Sequence, residues 1–234
     1  MNIISEVRKL KDENDDLLTF LSGWQLKYQE ALSGIELFDR SVKRTWLNEE
    51  KIHFVKMLYH VRGHFHDFLW HLGSHAPNEK IKNIVLSNIA EEFSEDGLSH
   101  EQLYLNFAKS VGCDLNQEII LGENYFPAIK RFNQGHIKWL LEHDWKQNFA
   151  AFSAYEKLDN IDYPYLIDIA KIFDTQAKDL AFFKVHIHVK HFEATFDLLC
   201  DIWRENTNTV IESFDFIAEH QIAMWQNFSN DMFS

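Results

Sequence analysis

Apolar residues recur along this chain every three to four positions and never alternate with polar ones over several residues, a pattern of helices rather than strands. It predicts helices over about 3–21 and 23–40, then a long one from about Glu49 to Leu72 that carries His53, His60, His64, His66 and His71. Asn78 reads as the cap of a helix over about 79–95, and Ser99 as the cap of another that ends near Val111 with Gly112 behind it. Pro127 suits the early turn of a helix to about His143, Trp145 to Leu158 form the next, and Pro164 opens a short one to about Phe173. Helices over about 178–204 and 207–232 complete the order, the last with Trp225 and Phe228 on its inner side. Such segments build an all-α fold, a compact bundle of seven or eight helices.

Composition sharpens this picture in a few places. Only 3 Pro and 8 Gly interrupt 234 residues, and no linker or low-complexity tract separates the segments, so residues 1–234 are expected to form a single domain. A formal charge of −13 argues against nucleic acid as a partner, because no basic face is available to neutralise phosphates. Met1 to Leu10 lacks the apolar core of a signal peptide, and no apolar run reaches the roughly 18 residues of a membrane span. The expected setting is the cytoplasm, with no membrane partner. Cys113 and Cys200 are then expected to be free thiols.

Candidate chemistry is densest in Phe182-Phe183-Lys184-Val185-His186-Ile187-His188-Val189-Lys190-His191-Phe192-Glu193. At about 100° per residue, positions 186, 190 and 193 share one stripe that continues Phe182 and Phe183, whereas His188 and His191 point elsewhere and are expected to be half-exposed. Buried histidines and carboxylates are costly unless they are paired or bind a metal, so this stripe is a candidate site. Two other helices offer carboxylates on an apolar face. The face through Val85 and Ile89 passes closer to Glu92 than to Glu91, and His100 follows eight residues after Glu92. Glu156 follows Phe149 and Phe152 at spacings of seven and four, which also turns it inward.

The succession of Glu92 and His100, Ala154-Tyr155-Glu156, and Phe183-x-x-His186 resembles the haem-oxygenase-like diiron oxidases, in a superfamily with the thiaminase II proteins, pyrroloquinoline-quinone synthase and a p-aminobenzoate synthase. The resemblance runs from Leu37-Phe38 through Trp225, and it implies a helical bundle with a central pocket. It also implies a metal set of Glu92 (or Glu91), His100, Glu156 and His186. The family's late-helix pattern, His-x-x-x-Asp-x-x-His, is altered here: Lys190 stands where Asp is expected and Glu193 where the last His is expected. Glu193 can still ligate iron, while a protonated Lys190 cannot. An ammonium at that place disfavours a second dication.

One Fe or Mn ion is therefore expected rather than two, and no haem, with Lys190 as counter-ion or acid-base group. Tyr59 and His60 match a family habit of placing Tyr-His beside the pocket, which implies contact with substrate. The implied partners are a small organic substrate and dioxygen, and members of the family commonly form homodimers. Two alternatives stand beside the metal oxidase: a cofactorless oxidase similar to the quinone synthase, and a non-catalytic relative that binds a small molecule or partner. Cysteine chemistry of the thiaminase II kind is not expected, because neither thiol has a setting that lowers its pKa.

Overall fold

The structure, a computed structural model, describes residues 3–39, 44–63, 65–93, 97–188 and 191–233, with side chains described from residue 16 onward. His64 and Lys190 lie outside the described residues, as do residues 94–96. No strand occurs among the described residues, so the all-α expectation holds.

Helix α1 spans Ile3–Ser33 as one element and not two. Leu17, Leu21, Trp24, Tyr28 and Leu32 are all buried at steps of three or four, so the apolar stripe runs straight through Gly23. After a 3₁₀ turn at Glu36–Phe38 come α2 (Asn48–Gly63), α3 (Phe65–His75) and α4 (Glu79–Phe93). Next are α5 (His100–Ser110), the short α6 (Asn116–Leu121), which the sequence pattern did not predict, and α7 (Pro127–Glu142) with proline in its first turn. Helices α8 (Trp145–Ile172), α9 (Ala181–His188), α10 (His191–Glu205) and α11 (Thr207–Phe233) complete the bundle.

The axis of the bundle is α8, which packs against α3, α9, α10 and α11. Pro164 lies inside it and does not open a separate helix. The missing N–H forfeits one backbone bond, the one that would reach the carbonyl of Asn160. Burial on both sides of the break, at Ile161, Asp162, Leu166 and Ile167, carries the helix across.

A buried carboxylate ties α8 to its neighbours. Asp162 accepts hydrogen bonds from Tyr28 Oη of α1 (2.8 Å) and from Gln221 Nε2 (3.0 Å) and Trp225 Nε1 (2.7 Å) of α11. Burial raises its pKa to about 6, even though these three donors act to lower it. Asp144 caps the start of α8, accepting from the backbone N–H groups of Lys146 and Gln147. Among the described residues no helix is long and apolar enough to cross a membrane.

Candidate metal centre

Three elements deliver a carboxylate and two imidazoles to one place inside the bundle. In α4 the buried stripe Ile81, Val85, Asn88, Ile89 and Glu92 ends on Glu92, so the same periodicity that buries the helix turns this carboxylate inward. Ser99 caps α5 with a reciprocal capping box to Gln102, and this fixed start makes His100 the first helical residue, 5% exposed. In α9, Phe182, Phe183 and His186 are buried together. Glu92, His100 and His186 each offer a donor atom, and all three atoms lie within 4.8 Å of one another.

Hydrogen bonds orient the set. His100 Nδ1–H donates to Glu92 Oε1 at 2.9 Å, and His66 Nε2 lies 3.6 Å from Glu92 Oε2. His186 Nδ1–H donates to the Phe182 carbonyl at 2.8 Å, which fixes its tautomer and leaves Nε2 as a lone-pair donor. Its ring is stacked on Tyr163 with centroids 4.2 Å apart, and Asn160 Nδ2 donates to its backbone carbonyl. Metal-binding histidines are held in this way, with one ring nitrogen committed to the protein and the other exposed to the ion.

The charges are consistent with that reading. Burial would raise the Glu92 carboxyl, but hydrogen bonds from His100 and His66 outweigh it and hold the group well below the usual carboxylate range. Burial lowers His186 to about 3, so it is a neutral imidazole at neutral pH, with a lone pair free for a metal. Glu156 is pushed up to about 8, chiefly by burial, against the hydrogen bond from Asn88, with Glu92 and Glu91 adding repulsion. Asp159 is also raised well above its ordinary value, first by burial and then by the neighbouring carboxylates. Glu92 is thus ionised, while Glu156 holds a proton that a dication could displace.

The chamber enclosed by these groups has a free volume of about 10 Å³, lined by Phe65, Glu92, His100, Glu156, His186 and His191 among others. That is room for a single ion or water and not for an organic molecule. Of the residues singled out in the sequence, Glu92, His100, Glu156 and His186 share this chamber. Glu92, not Glu91, faces His100; the Glu91 carboxylate is largely exposed and sits 3.1 Å from His191 Nε2.

Several expectations need correction. Glu193 is exposed in the first turn of α10 and does not line the chamber. The expected stripe counted one helical phase through 178–204, whereas among the described residues burial passes from Phe182, Phe183 and His186 to Thr195, Leu199 and Cys200 and leaves position 193 outside. His191 is the residue that turns in: its side chain is 11% exposed, and its Nδ1 accepts from Asn88 Nδ2 at 2.7 Å.

Tyr59 and His60 also lie away from the chamber. Tyr59 Oη donates to Glu101 at 3.2 Å, and His60 Nε2 lies 2.6 Å from Glu118 Oε1. The His60 ring is stacked on Tyr125 at 4.7 Å, so it pins α6 and the turn that follows it against α2. Lys190, expected to act as counter-ion or acid-base group, lies outside the described residues.

Sequence reasoning also missed Asp159, one turn beyond Glu156, and Arg62. The Arg62 guanidinium lies 4.5 Å from the Phe182 ring centroid and 5.0 Å from that of Tyr104, and its Nε is buried without a hydrogen-bond partner. It lines a second small cavity with Glu92, Asp159, Tyr163 and His186. The one-turn spacing from Glu156 was a readable signal for Asp159. Arg62 had none.

This helical arrangement is the heme oxygenase-like fold. The chain superposes with a TM-score of 0.70 on a crystal structure, at 2.30 Å resolution, of a domain of unknown function with that fold from Shewanella denitrificans OS217. The two share 16% identity, and the match covers 91% of this chain and 93% of the other. No curated protein matches the chain. A family model described as iron-containing redox enzyme matches residues 52–214, and the chain belongs to that family.

Proposed function

We propose that the chain holds one Fe(II) or Mn(II) ion through Glu92, His100 and His186 and oxidises a small organic substrate with dioxygen. The observation that carries this reading is the buried cluster of one carboxylate and two imidazoles, with donor atoms mutually within 4.8 Å. Two histidines and one carboxylate form the donor set of non-haem iron oxygenases, which leave positions on the metal open. Family membership supports iron as the metal. When bound, it supplies the one-electron steps that reactions with dioxygen require.

The chain's own residues do the rest. The Phe182 carbonyl and Tyr163 hold the His186 ring in one orientation, and His100 and His66 keep Glu92 ionised before an ion arrives. Glu156, buried beside the cluster, is available as a further oxygen donor once its proton leaves. The chamber's size favours one ion over two. The active unit in this reading is the whole chain as one helical domain.

Metal content tests it. Full-length protein purified without a chelating tag and reconstituted anaerobically with Fe(II) is expected to hold one ion per chain by plasma mass spectrometry. His186→Ala and Glu92→Gln should each lower occupancy at least tenfold while helical content is unchanged. Wild-type protein that takes up neither iron nor manganese would overturn the proposal. It would favour a cofactorless oxidase, for which Arg62 with its unpartnered Nε beside the same cavity is the supporting observation.

A further inference from the structure

The chamber holds no more than an ion, so whatever joins the ion must sit in an adjoining space. The second small cavity is such a space. It shares Phe65, Glu92, Asp159 and His186 with the chamber as common walls, and Arg62, His66 and Tyr163 line its far side. Glu92 and His186 are buried, whereas Arg62 and His66 are partly exposed, so the cavity leads from near the surface to two of the groups proposed to hold the metal. Its free volume is about 20 Å³. A single water needs roughly 10–15 Å³ of such space, so the cavity suits a ligand of about two heavy atoms at most.

Arg62 sets the charge of this cavity. Its guanidinium carbon lies 4.5 Å from the Phe182 ring centroid and 5.0 Å from that of Tyr104, so two aromatic rings hold the group in place. Among the described residues no carboxylate forms an ion pair with it, and Glu92 pairs instead with His100 and His66. Guanidinium groups stay charged in proteins, so the positive charge is permanent. Nε is buried out of reach, and the donors that serve the cavity are the two Nη groups. Burial dominates the pKa shifts of His186 and Asp159, and Arg62 adds a smaller lowering to each. Its field therefore crosses the cavity to the ligand side.

A dication in the chamber would stand across a shared wall from this fixed charge. Charges of one sign repel at such range, and an anion between them turns the repulsion into attraction on both sides. The cavity has the size for that anion, and its Nη donors have the sign.

We propose that this cavity binds a small inorganic anion beside the metal and that Arg62 is the residue that selects it. The anion accepts hydrogen bonds from the Nη groups and faces the ion with its other end. Dioxygen is of the same size and becomes anionic on reduction, so the cavity suits it in volume and Arg62 in sign. The inference rests on the metal reading above.

Cyanide, an anion of two heavy atoms, is the probe. Its binding is read from the visible spectrum of full-length protein loaded with one Co(II) per chain, at fixed pH, and one cyanide per ion is expected. Arg62→Met keeps the apolar stem and should weaken cyanide by about tenfold or more, the cost of losing a hydrogen bond to a charged group. Arg62→Lys restores a positive charge and should recover most of that loss, which a merely structural role would not allow. Cobalt content and helical content are expected to be unchanged in both, and Arg62→Gln carries the same comparison should Arg62→Met fold poorly.

A folded, loaded Arg62→Met or Arg62→Gln that binds cyanide as tightly as the wild type would overturn the inference, as would an Arg62→Lys no better than either. Both results leave the metal reading standing. A protein that takes up no Co(II) sinks the metal reading, and the anion site with it.

Discussion

A methyl group at Gly135 would sit 2.5 Å from the Cε1 and Nε2 atoms of His220, closer than real Cβ contacts allow. The imidazole cannot swing away freely. It is stacked between Phe132 (5.0 Å) and Phe216 (5.2 Å), and its Nε2–H donates to the Phe132 carbonyl at 2.8 Å. Gly135→Ala is therefore expected to destabilise the fold by about 1–3 kcal/mol in urea denaturation, the usual cost of overpacking. Combining it with His220→Ala should recover part of that loss, and strict additivity of the two would count against the clash. Sequence alone gives no hint of this pairing, since 85 positions separate two residues that only the packing of α7 on α11 brings together.

At the scale of elements, two features of α8 and α5 bear on the site. Asp162 joins α1, α8 and α11, and its pKa is raised by burial from 3.8 to about 6. A raised carboxyl pKa gives a stability contribution that is complete below about pH 4 and is lost as pH climbs through 6. The stability difference between the wild type and Asp162→Asn should thus shrink from pH 4 to pH 7, by about 3 kcal/mol for a raise of this size. Parallel denaturation series read this directly, and a difference independent of pH would refute it.

The Ser99 cap immediately precedes His100. Ser99→Ala is expected to cost about 1 kcal/mol and to lower metal occupancy through a looser first turn, with Ser99→Thr retaining both. Caps such as Ser99 and the proline at the start of α7 were legible because they are local chemistry. The continuity of α8 through Pro164 was not, because burial by neighbouring helices overrode the breaker. The late segment shows the same limit: His186 was found from its own helix face, whereas the inward turn of His191 in place of Glu193 is set by packing against α4, which phase counted from position 186 does not predict.

Across the whole molecule, the fold was readable because helical period and sparse punctuation persist along the chain, and three of the four groups in the candidate cluster's immediate setting fall on apolar stripes visible in sequence: Glu92, Glu156 and His186. The surroundings that give those groups their chemistry, such as Arg62 over aromatic rings and Asn88 between two ionisable partners, exist only after packing. The formal charge of −13 is also a property of the whole. Self-repulsion on this scale is screened by salt, so the midpoint of thermal unfolding should rise between 10 mM and 200 mM sodium chloride, and a fall would show that attractive pairs dominate the surface.

Glu92, His100 and His186 come from α4, α5 and α9, with 86 positions between the second and the third. The contacts that bring them together are non-local, and these form later than the helices themselves. A refolding chain should recover its far-ultraviolet circular dichroism first and become able to bind Co(II) later, when α9 docks. The visible spectrum of the bound cobalt then serves as a clock for the last stage of assembly, and a chain arrested before that stage would be helical yet unable to bind Co(II).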